Sequence, residues 1–111
     1  MKDKVRMMAE VFKALGDPTR LRIIKMLASN PDSTLCVADL ASKLGVTQPA
    51  ASQHIRILKH VEILEPKKVG FRTYYYLNPQ SLSKYRVNVD ELFELAFARC
   101  SREETCKENG E

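Results

Sequence analysis

Two helical patterns end and begin within three residues at Gly45-Val46-Thr47, and that junction leaves few folds open. Before it, residues 37 to 44 place Leu40 and Leu44 on one face, at helical spacing. Gly45 suits the left-handed position that stops a helix, and Val46 can fold back on the last turn. Thr47 is a good N-cap, and Pro49 falls in the first turn of the next helix. In that second helix Ala51, Ile55 and Leu58 trace an apolar face, with Glu62 on the same line by angle. The opposite face shows Pro49, Gln53, Arg56 and His60, with Ser52 on its flank. Two helices joined by so tight a turn make a helix-turn-helix, with an ordinary helical hairpin as the competing reading.

The flanking segments supply the rest of a small core. Val5, Met8, Phe12 and Leu15 form one helical stripe, which Gly16 ends. Asp17 caps a second helix with Pro18 at its first position, and Leu21, Ile24 and Leu27 are expected on its buried face. The run from Ser29 to Ser33 is rich in turn formers, and Thr34 to Val37 reads as a short apolar approach, a candidate brief strand. Two β-like runs, 63–68 and 72–77, surround Val69-Gly70-Phe71, and Gly70 gives a hairpin tip its freedom. A last amphipathic helix is expected from near Asp90, with Leu92, Phe93, Ala96 and Cys100 on one side. The fold class is therefore mainly α with a small β hairpin. Residues 1–100 form one domain, and 101–111 are expected to be a polar, flexible tail.

Composition narrows the function. A chain of 111 residues has room for one domain, and 44% apolar with 29% charged residues suits a soluble core. No run of 18 apolar residues offers a membrane span, and the N-terminal Met1-Lys2-Asp3-Lys4 does not lead into a secretory signal. Net charge is +4, unevenly spread: residues 101–111 carry −2 and the rest +6. A basic body with an acidic tail favours a polyanion partner, nucleic acid before membrane. Three cysteines, Cys36, Cys100 and Cys106, do not make a disulfide framework, so a reducing cytoplasm is expected. There is no Ser/Cys–His–acid grouping, no Gly-rich phosphate loop and no paired carboxylates in an apolar setting, so the chain is not read as an enzyme.

The tight junction and the charge together point to DNA. A duplex admits a helix into its major groove, and the helix's N-terminal residues meet the base edges. Gln48, Pro49, Ser52 and Gln53 lie at that end; Gln can pair bidentately with adenine, and Ser is permissive. Arg56, one turn on, can reach a phosphate or a guanine. Lys67, Lys68 and Arg72 make the following hairpin a basic wing for flanking phosphates or the minor groove. The competing reading is a helical protein-interaction module that never touches DNA.

Three stretches in order carry a family resemblance: Phe12-Lys13-Ala14-Leu15-Gly16-Asp17-Pro18-Thr19-Arg20-Leu21-Arg22-Ile23-Ile24, then Val46-Thr47-Gln48-Pro49-Ala50-Ala51-Ser52-Gln53-His54-Ile55-Arg56-Ile57-Leu58, then Thr73-Tyr74-Tyr75-Tyr76-Leu77. Over about residues 8 to 100 the chain resembles the ArsR/SmtB family of winged-helix repressors. The resemblance implies a homodimeric winged helix-turn-helix repressor, with the first and last helices forming the interface. It also implies release from DNA when a metal, metalloid or other signal arrives. The terminal apolar stripes fit such an interface through Val5, Met8, Phe12, Leu92, Phe93 and Ala96, and a two-fold dimer would present two recognition helices to a palindromic operator. Packing on the chain's own core is the alternative for both stripes.

At the family's sensor positions the chain departs from the pattern. Metal-sensing members often carry Cys-Val-Cys-Asp-Leu at the third helix; here Leu35-Cys36-Val37-Ala38-Asp39-Leu40 keeps one thiol only. The zinc site that other members build on the last helix would need histidine after Asp90, and none is present there; His54 and His60 are on the recognition helix, where a DNA or packing role is expected. Cys100 and Cys106 remain. Six apart on a straight helix, they would point about 120° apart with roughly 9 Å between them along the axis. With the segment unwound, they can share a soft ion such as arsenite or cadmium, with a third thiolate from Cys36 or a partner chain, or close a regulatory disulfide. The expected function is a cytoplasmic repressor that leaves its operator on a thiol-directed signal. An ArsR-like regulator with no metal ligand is the alternative, and no cofactor is assigned with certainty.

Overall fold

Each helix begins where a side chain can replace its missing backbone partners. A computed structural model describes residues 3–30 and 35–102. Helix α1 (Lys4–Leu15) starts at Asp3, whose carboxylate accepts from the Arg6 N–H at 2.8 Å. Helix α2 (Pro18–Ser29) starts at Asp17, which accepts from the N–H groups of Thr19 and Arg20. Helices α3 (Val37–Leu44) and α4 (Gln48–His60) follow, then strands β1 (Leu64–Val69) and β2 (Arg72–Leu77), then helix α5 (Pro79–Arg102).

The two strands form an antiparallel hairpin, registered from Leu64 opposite Leu77 to Val69 opposite Arg72. The first strand is thus displaced by one residue from the expected 63–68, and Ile63 is instead buried in the turn before it. The apolar approach before α3 does pair with the hairpin: Cys36 bridges Tyr74, and the Tyr75 N–H donates to the Leu35 carbonyl at 3.1 Å. Thr34 lies outside the described residues.

Ile23, Leu40, Leu58 and Ile63 form the fully buried centre, one side chain each from α2, α3, α4 and the approach to β1. The buried face of α2 differs from the expected one. Ile23 and Leu27 are buried, whereas Leu21 is exposed. A spacing of three falls 60° short of a full turn each time, so Leu21 and Leu27 lie about 120° apart. Helix α1 has two apolar faces: Val11 and Ala14 point into the core, while Val5 and Phe12 face away from it.

Helix α5 begins eleven residues before the expected Asp90. Asn78 caps it, accepting from the N–H groups of Gln80 and Ser81, with Pro79 at the first position. This is the arrangement of Asp17 and Pro18 over again. Its first half is polar, so no unbroken apolar stripe announces it. Ser81 and Asn88 are buried, Leu82 and Tyr85 pack on the core, and the Tyr85 hydroxyl donates to the Val61 carbonyl at 2.7 Å. From Asp90 to Cys100 every residue is exposed.

Candidate nucleic-acid interface

The α3–α4 junction is closed by the backbone. Gly45 sits at φ +69°; its N–H donates to the Ser42 carbonyl, and the Val46 N–H donates to Ala41 at 3.1 Å. Those two bonds satisfy carbonyls that the end of α3 would otherwise leave open. Thr47 Oγ1 then accepts from the Ala50 N–H at 3.2 Å and starts α4.

The face of α4 that meets the core is Ala51, Ile55 and Leu58. This fixes what the helix shows outside. Gln48, Pro49, Gln53 and Arg56 are exposed, and Ser52 is half-buried beside them. The hairpin follows α4 after three residues and carries Lys67, Lys68 and Arg72, all exposed. A polar helix face is thus followed, three residues on, by a cationic ribbon whose first strand packs against α4.

Asp39 closes the start of α3. Its Oδ2 accepts from the Cys36 N–H at 3.1 Å and from the Cys36 Sγ at 3.3 Å. The backbone and thiol bonds from Cys36 hold the Asp39 carboxyl below its ordinary range; partial burial opposes them, and the charges of Arg72 and Lys43 reinforce them. Cys36 is itself buried, at the N-cap position of α3. Cys100 is exposed near the far end of α5, and Cys106 lies outside the described residues. Among the described residues no group of three His, Cys, Asp or Glu side chains is placed to hold a metal ion.

The terminal stripes remain uncovered within the chain. Val5, Phe12, Leu92, Phe93 and Ala96 are exposed and Met8 is half-buried, so neither stripe packs fully on its own core. Helix α1 packs along α5, with Lys4 Nζ 3.3 Å from Glu91 Oε1. The uncovered surface on α5 is larger than the sequence pattern implies, since Val87, Leu95 and Phe97 are exposed too.

One residue beside this interface is not marked by the sequence pattern. Arg20 lies on the inward side of α2 and donates to both the Ala14 carbonyl and His54 Nδ1. A helical wheel places it inward, between the angles of Ile23 and Ile24. Of the two roles expected for His54, DNA contact or helix packing, its bond to Arg20 fits the second.

Residues 17–65 match the bacterial regulatory protein, arsR family. An uncharacterized HTH-type transcriptional regulator of Methanocaldococcus jannaschii is 40% identical over 90 residues, covering 81% of this chain and 99% of that one. The chain belongs to the ArsR/SmtB family. The arsenical resistance operon repressor of Escherichia coli K12 is 33% identical over 94 residues, covering 85% of this chain and 74% of the repressor. The solution structure of a homodimeric winged helix-turn-helix DNA-binding domain from Mycobacterium bovis, a possible ArsR-family regulator, superposes with a TM-score of 0.64 at 25% identity and 81% coverage of each chain. As an ArsR/SmtB protein the chain is a DNA-binding transcriptional repressor, not an enzyme. Among the described residues, no helix is long and apolar enough to cross a membrane.

Proposed function

We propose that this ArsR/SmtB repressor works in the cytoplasm as a homodimer on a palindromic operator, with residues 1–100 providing both DNA binding and assembly and 101–111 a polar tail. Helix α4 enters the major groove with Gln48, Pro49, Ser52 and Gln53 towards the bases and Arg56 at a phosphate or a guanine. Lys67, Lys68 and Arg72 neutralise phosphates beside it. The observation that carries this reading is the exposed polar face of α4, held outward by Ala51, Ile55 and Leu58 and followed by an exposed cationic hairpin.

The dimer reading rests on Val5, Met8, Phe12, Leu92, Phe93 and Ala96, which leave apolar surface on two adjoining helices. The similar Mycobacterium bovis domain is a homodimer. Release from DNA follows a thiol-directed signal at Cys100 and Cys106: oxidation, or a soft ion of the arsenite or cadmium kind. Cys36 is the weaker third ligand, because it is buried and already donates to Asp39. That same burial favours a second reading, a repressor regulated without any inorganic ligand.

The test is a mobility shift on the DNA upstream of the protein's own gene, against scrambled DNA of equal length. Retarded upstream DNA that is released by arsenite, cadmium or a mild oxidant fits the whole proposal. Equal retardation of both DNAs would remove sequence-specific repression from it, and specific binding that no thiophile or oxidant disturbs would favour the second reading.

A further inference from the structure

The hairpin tip holds an aromatic ring that neither the core nor the uncovered helical faces use. Val69 pairs with Arg72, so Gly70 and Phe71 alone form the loop. Gly70 takes φ +64°, which is what a two-residue hairpin loop requires at that position. Phe71 answers no such requirement, since turn positions favour Gly, Asn, Asp and Ser. Its relative exposure is 105%, the highest of the exposed large apolar side chains among the described residues, and Val69 beside it is 55% exposed.

A single exposed apolar residue is ordinary. This one differs in its surroundings. The strand from Leu64 to Val69 carries it roughly 17 Å out from the core. Lys67, Lys68 and Arg72 stand exposed on the two strands just behind it. An apolar tip behind which cations are ranked matches a groove with phosphate rims and a floor of sugars and base edges. The minor groove has that form, and proteins that bind it insert apolar wedges there. The position of the hairpin next to α4 would bring the tip to the groove flanking the half-site.

We propose that Phe71 is such a wedge: it enters the minor groove beside the half-site while Lys67, Lys68 and Arg72 hold the phosphates on its rims. The inference rests on reading the hairpin as a DNA-binding wing. It also predicts a preference the α4 contacts do not supply. Guanine's 2-amino group occupies the minor-groove floor, so A·T pairs should be favoured under the tip.

Phe71→Ser, Phe71→Leu and Lys68→Ala would be compared with wild type by operator titration over a range of salt. Phe71 is uncharged, so Phe71→Ser should weaken binding about tenfold with the salt slope unchanged. Phe71→Leu should keep most of the affinity. Lys68→Ala should flatten the slope by about 0.9. Replacing flanking adenines with 2,6-diaminopurine adds a minor-groove amino group and leaves the major-groove edge alone. Wild type should lose affinity on that DNA, and Phe71→Ser should not. If Lys68→Ala flattens the slope but Phe71→Ser binds like wild type, or is hurt equally by diaminopurine, the wedge is wrong and the wing stands. If Lys67→Ala, Lys68→Ala and Arg72→Ala all leave the slope alone, the wing reading fails and the wedge with it. Unchanged thermal midpoints for the Phe71 variants, whose side chain is fully exposed, exclude unfolding as the cause.

Discussion

Arg20 and His54 join the second helix to the recognition helix, the guanidinium Nη1 lying 3.1 Å from the imidazole Nδ1. A guanidinium only donates, so Nδ1 accepts and the ring proton is on Nε2. Through Nε the same guanidinium donates to the Ala14 carbonyl. One planar group thus holds the end of α1, the start of α2 and the middle of α4 in register. Arg20→Ala should lower stability by about 1.5–3 kcal/mol, as for hydrogen bonds to a charged group, and weaken operator binding because α4 loses its brace. Arg20→Lys should not restore it, since an ammonium lacks the planar fork. Urea unfolding of Arg20→Ala, His54→Ala and the double variant measures the link. A coupling energy within about 0.5 kcal/mol of zero would mean the two residues act independently.

Asp17 adds a pH dependence at the same place. Partial burial pushes its carboxyl up, but the backbone N–H groups of Arg20 and Thr19 and the charge of Arg20 outweigh it, so it titrates below its ordinary range. A carboxyl lowered by folding contributes stability that is fully present above its unfolded value, near pH 4, and lost as pH falls through the folded one. Asp17→Asn should therefore flatten the acid limb of the stability curve below about pH 4. At neutral pH the loss should be small, because Asn also caps helices. An acid limb as steep in Asp17→Asn as in wild type would place the responsible carboxyl elsewhere.

Gln53 tests the reading helix directly. It is exposed on α4. Gln53→Ala should lose roughly 1–3 kcal/mol at the cognate operator and relax the preference at one base position. A selection over randomised half-sites shows both effects. An unchanged ratio of cognate to scrambled binding would remove Gln53 from base readout.

The parts of this molecule that the sequence announces are those governed by local chemistry. Asp17-Pro18, Gly45 and Thr47 act through neighbouring backbone, so α2, α3 and α4 are legible at nearly their true limits. The β-branched and aromatic run Thr73-Tyr74-Tyr75-Tyr76 gives β2 its full length. What escapes depends on distant partners. The start of α5 is set by Asn78, yet its first half is held by buried Ser81 and Asn88, which carry no apolar period. Leu21 matches a spacing but not a face. At the candidate interface the polar positions of α4 are legible because its apolar side is unambiguous. Arg20 is not, because its role needs the α1 carbonyl and the α4 imidazole, the latter far from it in sequence. The exposure of Phe71 depends on the turn at Gly70 and on how far the strands reach.

Assembly is tested at Phe93. It is 54% exposed in the single chain, so replacing it does not disturb the chain's own core. Phe93→Glu would bury an unpaired charge at a two-fold contact with α5. Sedimentation should show wild type as a dimer and Phe93→Glu as a monomer with its helix content kept. Operator binding should fall by orders of magnitude, because two half-sites must be engaged together. A stable Phe93→Glu dimer would move the interface away from this face.

The thiol trigger requires the two cysteines at the end of the chain to act as one unit. Cys100 is exposed on α5, whereas Cys36 is buried with its thiol on Asp39. An ion or a disulfide that draws Cys106 towards Cys100 would act on the C-terminal end of α5, about one turn beyond Ala96. Strain there would act on the spacing of two recognition helices. A coupling of about 1–3 kcal/mol, or roughly 5- to 150-fold weaker DNA binding, is the usual size of such a link. Arsenite, cadmium and a mild oxidant would be titrated into preformed complexes of wild type, Cys36→Ser, Cys100→Ser and Cys106→Ser. Cys100→Ser and Cys106→Ser should both stay on DNA where wild type leaves. Cys36→Ser should still respond, because the Cys36 thiol is buried and already donates to Asp39; if it too stays bound and keeps its stability, the site holds three thiolates. A normal response from Cys100→Ser or Cys106→Ser would end the thiol proposal and leave a repressor that needs no inorganic ligand.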